Sequence, residues 1–235
     1  KSIQKGKYTR DKFYFKVDPY VIDSLNNFSV EGMEYNGILY SGGIFPNFRE
    51  KLLLQADNSL GFHHTTPEEG FPVFNGKGMY FNEIYLSNHG LRGGGKINYL
   101  TSKTTSKDFI FYPDSMNTKS ETFDIKKQIS GVKYPTVNSD SAYIHWEPKK
   151  DVVIAKSKKQ PFIMFDNQTD LAGELKYQPT GLTGNGKMNI KNAELQSNLF
   201  YYKDEYFDAD TALFKIKTSD LKNFSFTSDN VKSHI

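Results

Sequence analysis

Apolar and polar positions along the chain alternate over short stretches and do not fall into the three-and-four spacing of a helix. Residues 51–55, 79–86 and 108–112 read this way, and so do 174–177, 187–190, 199–202 and 213–216. Each alternates or nearly alternates in polarity and reads as a strand. Turn formers separate them: Asp57-Asn58, Asn75-Gly76, Pro113-Asp114, Pro148, Asp166-Asn167 and Asn185-Gly186. No run of ten residues combines helical apolar spacing with capping residues. The most helix-like piece, Tyr20 to Leu25, is one or two turns long. The pattern predicts an all-β chain.

Sliding the sequence against itself adds an organising principle. At an offset of 91, residues 71–130 fall on 162–221 without a gap, with 14 identities in 60 positions. Composition alone gives about three to five. The centre of the match is Gly90-Leu91-Arg92-Gly93-Gly94-Gly95-Lys96 on Gly181-Leu182-Thr183-Gly184-Asn185-Gly186-Lys187, and downstream Phe123 falls on Phe214. With insertions allowed, the register divides the chain into the end of a preceding unit (1–31), one unit at 32–130, a second at 131–221 and the start of a further one at 222–235. No linker separates them. The fold expected is an elongated repeat-built β structure, either a solenoid or a continuous curled sheet, with two tandem β-sandwich-like units as the alternative.

Composition narrows the chemistry. Aromatics make up 15% of the 235 residues, so Phe and Tyr must supply much of the core, while seven alanines argue against helices. The net charge of +3 comes from 27 lysines and three arginines dispersed among 27 acids, a poor footprint for nucleic acid. With no cysteine there are no disulfides, zinc-thiolate sites or thiol nucleophiles. No apolar stretch approaches the ~20 residues of a membrane-spanning helix. The first residue is Lys1, so the sequence reads as a mature or excised piece, from which any export signal would have been lost.

Candidate sites are few. The paired Gly-Leu-x-Gly-x-Gly elements invite a phosphate-loop reading, but that needs a helix after the glycines, and strand-like Lys96-Ile97-Asn98 and Lys187-Met188-Asn189 follow. Gly90, Gly93, Gly95, Gly181, Gly184 and Gly186 are therefore read as structural corners between strands, with Phe123 and Phe214 as repeated core positions. His63 and His64, near Glu68 and Glu69, are the densest metal-capable cluster, yet adjacent strand residues point to opposite faces. Asp208 and Asp210, with Asp204, are the calcium alternative, lacking the glycine and terminal glutamate of a helix-loop-helix site. Trp146, with Tyr143, is the candidate for stacking on a sugar. No Gly-x-Ser-x-Gly elbow is present. No cofactor is expected, and the sequence names no reaction.

The glycine elements, together with residues 192–200 (Asn192-Ala193-Glu194 onward) and 207–216 (Phe207-Asp208-Ala209 onward), resemble the very large repeat-built β-rich envelope or surface proteins of Bacteroidetes-type bacteria. They are also similar to AsmA/TamB-like β-groove proteins. The first resemblance implies a non-enzymatic stalk, scaffold or adhesin at the cell envelope or outside the cell, with neighbouring repeats of a longer chain as partners. The second implies a lipid-binding groove. A carbohydrate-binding or carbohydrate-active β domain is the third reading, and no functional residue is carried over from any family.

Overall fold

The computed structural model describes residues 8–21, 33–217 and 223–235. The chain forms two compact units, Lys1–Ile97 with Lys107–Met116 and Asn98–Ser106 with Asn117–Ile235. The first contains β1 (Phe13–Val17), β2 (Glu34–Ser41), β3 (Phe48–Leu54), β4 (Leu60–Thr65), β5 (Phe71–Val73) and β6 (Gly78–Ser87). β7 (Gly90–Tyr99), β8 (Ser102–Tyr112) and β9 (Ser115–Lys119) give residues to both. The second adds β10 (Thr122–Ile125), β11 (Val137–Ser139), β12 (Ala142–Glu147), β13 (Val152–Ser157), β14 (Phe162–Met164), β15 (Thr169–Gln178), β16 (Gly181–Ile190), β17 (Ala193–Tyr202), β18 (Tyr206–Lys217) and β19 (Asn223–His234). Among the described residues the other regular element is a single 3-10 turn at Pro148–Lys150.

The all-β expectation holds. The 19 strands belong to one antiparallel sheet, the continuous-sheet form of the prediction, because neighbouring strands run in opposite senses where solenoid rungs would stack in parallel. The helix-like reading at Tyr20 to Leu25 is not met at Tyr20 and Val21, which are irregular, and its remainder lies outside the described residues.

Alternation decides what is buried. In β12, Ala142, Ile144 and Trp146 point inward while Tyr143 between them is 48% exposed. In β10, Phe123 and Ile125 are buried and Thr122 and Asp124 half-buried. The cores are aromatic: Tyr80, Phe109 and Phe111 in the first unit, Phe123, Trp146, Phe162, Tyr177, Phe200 and Phe207 in the second. Each such ring contributes about 1.5–3 kcal/mol by leaving water.

Strand limits and registers coincide at a spacing of 91 residues. β5 and β14, β6 and β15, and β7 and β16 begin and end at matching positions. Phe62 pairs with Leu86 as Val153 pairs with Tyr177; Phe71 pairs with Tyr80 as Phe162 with Leu171; Ser102 pairs with Ile125 as Ala193 with Ile216. The hairpin turns match as well. Asn75 and Gly76 take φ of 56° and 84°, Asp166 and Asn167 take 52° and 70°, and the turns close by Lys77 N–H to Phe74 O and Gln168 N–H to Phe165 O. Two successive positive φ values are what a tight hairpin joining right-twisted strands requires, and Asn, Asp and Gly tolerate them best. Rings agree too: Phe109 stacks on Phe111 at 6.1 Å and Phe200 on Tyr202 at 5.8 Å.

Tyr8 shows how such packing couples to pH. It is 6% exposed, lies 4.7 Å from the Phe13 ring and donates its hydroxyl proton to Phe111 O. Burial pushes its pKa up to about 12, with a hydrogen bond from the Leu91 backbone opposing the rise. The folded chain keeps a proton that the unfolded chain releases near pH 10. The stabilisation is therefore complete below pH 10 and lost as pH climbs to 12, about 2–3 kcal/mol for this group. Urea midpoints measured at pH 9 and pH 11.5 should show that fall in the wild type and a smaller one in Tyr8→Phe.

Candidate functional site

The two glycine elements open strands β7 and β16 and run into their interiors; they are not corners between strands. The β16–β17 register shifts between Gly184 and Gly186, the mark of a bulge. Gly95 and Gly186 carry φ of 137° and 126°, and a Cβ at either would overlap a carbonyl oxygen across the pair, Phe81 O and Ala172 O. Those two carbonyls are themselves 91 residues apart. At Gly93 the space for a side chain is taken by the Tyr80 hydroxyl, which lies 2.5 Å from Glu83 O and 2.9 Å from Gly94 O. Burial drives the Tyr80 proton far above the ordinary phenol range. At Gly184 the same space meets Glu174 O and the Tyr202 ring, each at 2.9 Å. Strand, not helix, follows the glycines in both elements. Protein atoms close both bends, so the missing side chain permits backbone approach and leaves no cradle for phosphate.

His63 and His64 lie in β4 and diverge as strand parity dictates. His64 Nδ1 is 2.8 Å from Glu50 Oε2, with its ring stacked on Phe48 at 4.2 Å and facing Phe71 at 5.5 Å. His63 is exposed, 3.6 Å from Glu83 and parallel to Tyr85. They serve separate pairs. In β18, Asp208 is 3.6 Å from Lys203 Nζ and Asp210 is exposed; Asp204, nearly buried, is 3.5 Å from Lys133 Nζ. Among the described residues no three His, Asp or Glu side chains converge on one point.

Trp146 is not presented to a sugar. It shares the inward face of β12 with Ala142 and Ile144, is 1% exposed, and packs 4.9 Å from Tyr99. Tyr143, on the outward face, lies under the Lys158 ammonium at 4.8 Å, which holds the phenol proton below its usual range by hydrogen bonding.

Two of the open grooves in the second unit are wide. One, of about 540 Å3, runs along Lys133, Leu182, Tyr201, Lys203 and Tyr206. The other, of about 510 Å3, is bounded by Lys187, Lys191, Asn192, Glu194, Lys215 and Phe224. Glu194 sits between two ammonium groups there, 3.8 Å from Lys187 and 3.4 Å from Lys215. Beside it β19 turns large apolar side chains outward: Phe224 is 56% and Phe226 48% exposed, with Phe226 stacked on Phe214 at 4.8 Å. Such a surface has apolar area to bury and strand backbone to pair. Sequence reading did not single it out. The signal was the pairing of Phe224 and Phe226 two positions apart, which in a strand share a face.

No known protein family, no curated protein and no solved structure matches the chain. Among the described residues no helix is long and apolar enough to cross a membrane.

Proposed function

We propose that the chain is a structural segment of a repeat-built protein of the cell envelope or cell surface, in which residues 62–125 and 153–216 are two copies of one plan. The observation that carries this reading is the recurrence, 91 residues apart, of three strand registers together with the glycine bends that shape them. A bend that recurs with the same carbonyl against the same glycine serves backbone geometry, and backbone geometry that recurs is what an array transmits from unit to unit. The role that follows is that of a scaffold, stalk or adhesive surface. The carbohydrate reading loses Trp146, the residue that motivated it, to the core.

The lysine content supplies a direct test. A membrane-impermeant amine reagent applied to intact source cells should modify the chain's 27 lysines before lysis. Modification confined to lysed cells, with the chain absent from the isolated envelope fraction, would overturn the envelope and surface assignment.

A further inference from the structure

We propose that the face formed by Phe214, Ile216, Phe224 and Phe226 is the docking surface for a β-hairpin of the type the chain contains twice, Phe-x-(Val/Met)-Phe followed by a tight turn, supplied by a further unit of this plan. The proposal rests on the two-copy reading above, and its argument comes from the internal counterpart of the face.

β18 stands to β17 as β10 stands to β8, since Phe214 and Ile216 occupy the register positions of Phe123 and Ile125. β19 stands to β18 as β11 stands to β10: Phe123 pairs with Ser139 and Ile125 with Val137, while Phe214 pairs with Phe226 and Ile216 with Phe224. The burial differs. Phe123, Ile125 and Val137 are 0–1% exposed, whereas Phe224 and Phe226 are about half exposed and Phe214 and Ile216 only partly covered.

What covers the internal copy is visible. β14 pairs with β11, Val137 to Met164 and Asn138 to Ile163, and its Phe162 ring meets Phe123 edge-on at 6.3 Å. At the far end of the same hairpin, on β15, Tyr177 closes over the β7–β8 turn, with its hydroxyl 2.8 Å from Thr101 Oγ1 and its ring 6.0 Å from Tyr99. The counterparts of Tyr99 and Thr101 are Ile190 and Asn192, and Asn192 lines the 510 Å3 groove beside Phe224. Strand pairing and ring cover thus come from one hairpin in the internal copy. The positions it covers are the ones left open at β19. β19 runs in register with β18, and the exposed Phe224 and Ser225 stand at the positions from which Val137 and Asn138 of β11 pair with β14.

The occupant expected is a strand whose Met or Val pairs with Phe224 and whose Phe packs on Phe214. The hairpin itself provides the probe: a synthetic peptide of residues 159–179 added to the full chain. Saturable binding is expected, with amide exchange at residues 224–226 slowed at least about tenfold and other strands unchanged. Phe162→Ala with Met164→Ala in the peptide, which leaves the protein untouched, should weaken binding more than tenfold, as should Phe226→Asp in a chain shown to fold by circular dichroism. Absent binding, or binding indifferent to these substitutions, would sink the proposal. So would a concentration-dependent dimer of the chain alone that Phe226→Asp abolishes, because the occupant would then be a second copy. Neither result touches the envelope and surface assignment, which the labelling of intact cells and the isolated envelope fraction decide separately.

Discussion

Alanine at Gly186 is expected to cost about 3–5 kcal/mol, and alanine at Gly95 about as much, from the sum of backbone strain and overpacking. At both positions φ is well inside the positive region that L side chains avoid, and the added carbon would overlap a cross-strand carbonyl. At Gly186 it would also lie 2.8 Å from Gly173 Cα. Backbone on the neighbouring strand cannot rotate aside as a side chain can, so relief means separating the strands at the bulge. Gly76→Ala is the matched control: φ is 84°, yet nothing lies within 4 Å of the added carbon. Its expected cost is about 1 kcal/mol, from conformation alone. Urea denaturation of the three variants checks this, and equal midpoints for Gly76→Ala and Gly186→Ala would refute the collision argument.

Phe123→Ala is expected to lose about 3–5 kcal/mol, while Phe214→Ala, at the equivalent register position, loses about 1 kcal/mol or less. Phe123 is sealed by Phe162 and the β11–β14 pairing, so truncation leaves a cavity. Phe214 has a ring neighbour, Phe226, that is itself half exposed, so water can fill the space. The contrast is measurable from urea midpoints. Similar losses at the two positions would mean that the outer face is covered in solution, which would bear directly on the docking proposal.

Several structural features were legible in the residues and some could not have been. The Asn75-Gly76 and Asp166-Asn167 turns were readable because positive φ is a local demand met by few residue types. Asn185-Gly186 carries the same local signal but lies inside β16, because a bulge and a turn ask for the same backbone freedom. Trp146 was ambiguous alone, and its parity with Ala142 and Ile144 places it inward. Residues 62–65 and 153–156 share no identity at the 91-residue spacing, yet pair with their neighbours in matching register, because register depends on which face is apolar and not on which apolar residue is there.

The candidate residues divide along the same line. His63 and His64 could be separated by strand parity before any coordinates, but Glu50 as the partner of His64 could not be named, since it comes from the neighbouring strand β3. The Tyr80 hydroxyl over Gly93 was equally invisible, because the glycine element and the ring that fills its space are on different strands.

The sequence by itself determined the all-β class, the Asn75-Gly76 and Asp166-Asn167 turns and the 91-residue spacing, which follow from local backbone preference and period-two burial. Only the tertiary structure decided which apolar rows are covered. Phe123 and Phe214 share their place in the pattern, but coverage depends on a strand arriving from elsewhere, and β14 arrives at one and not at the other.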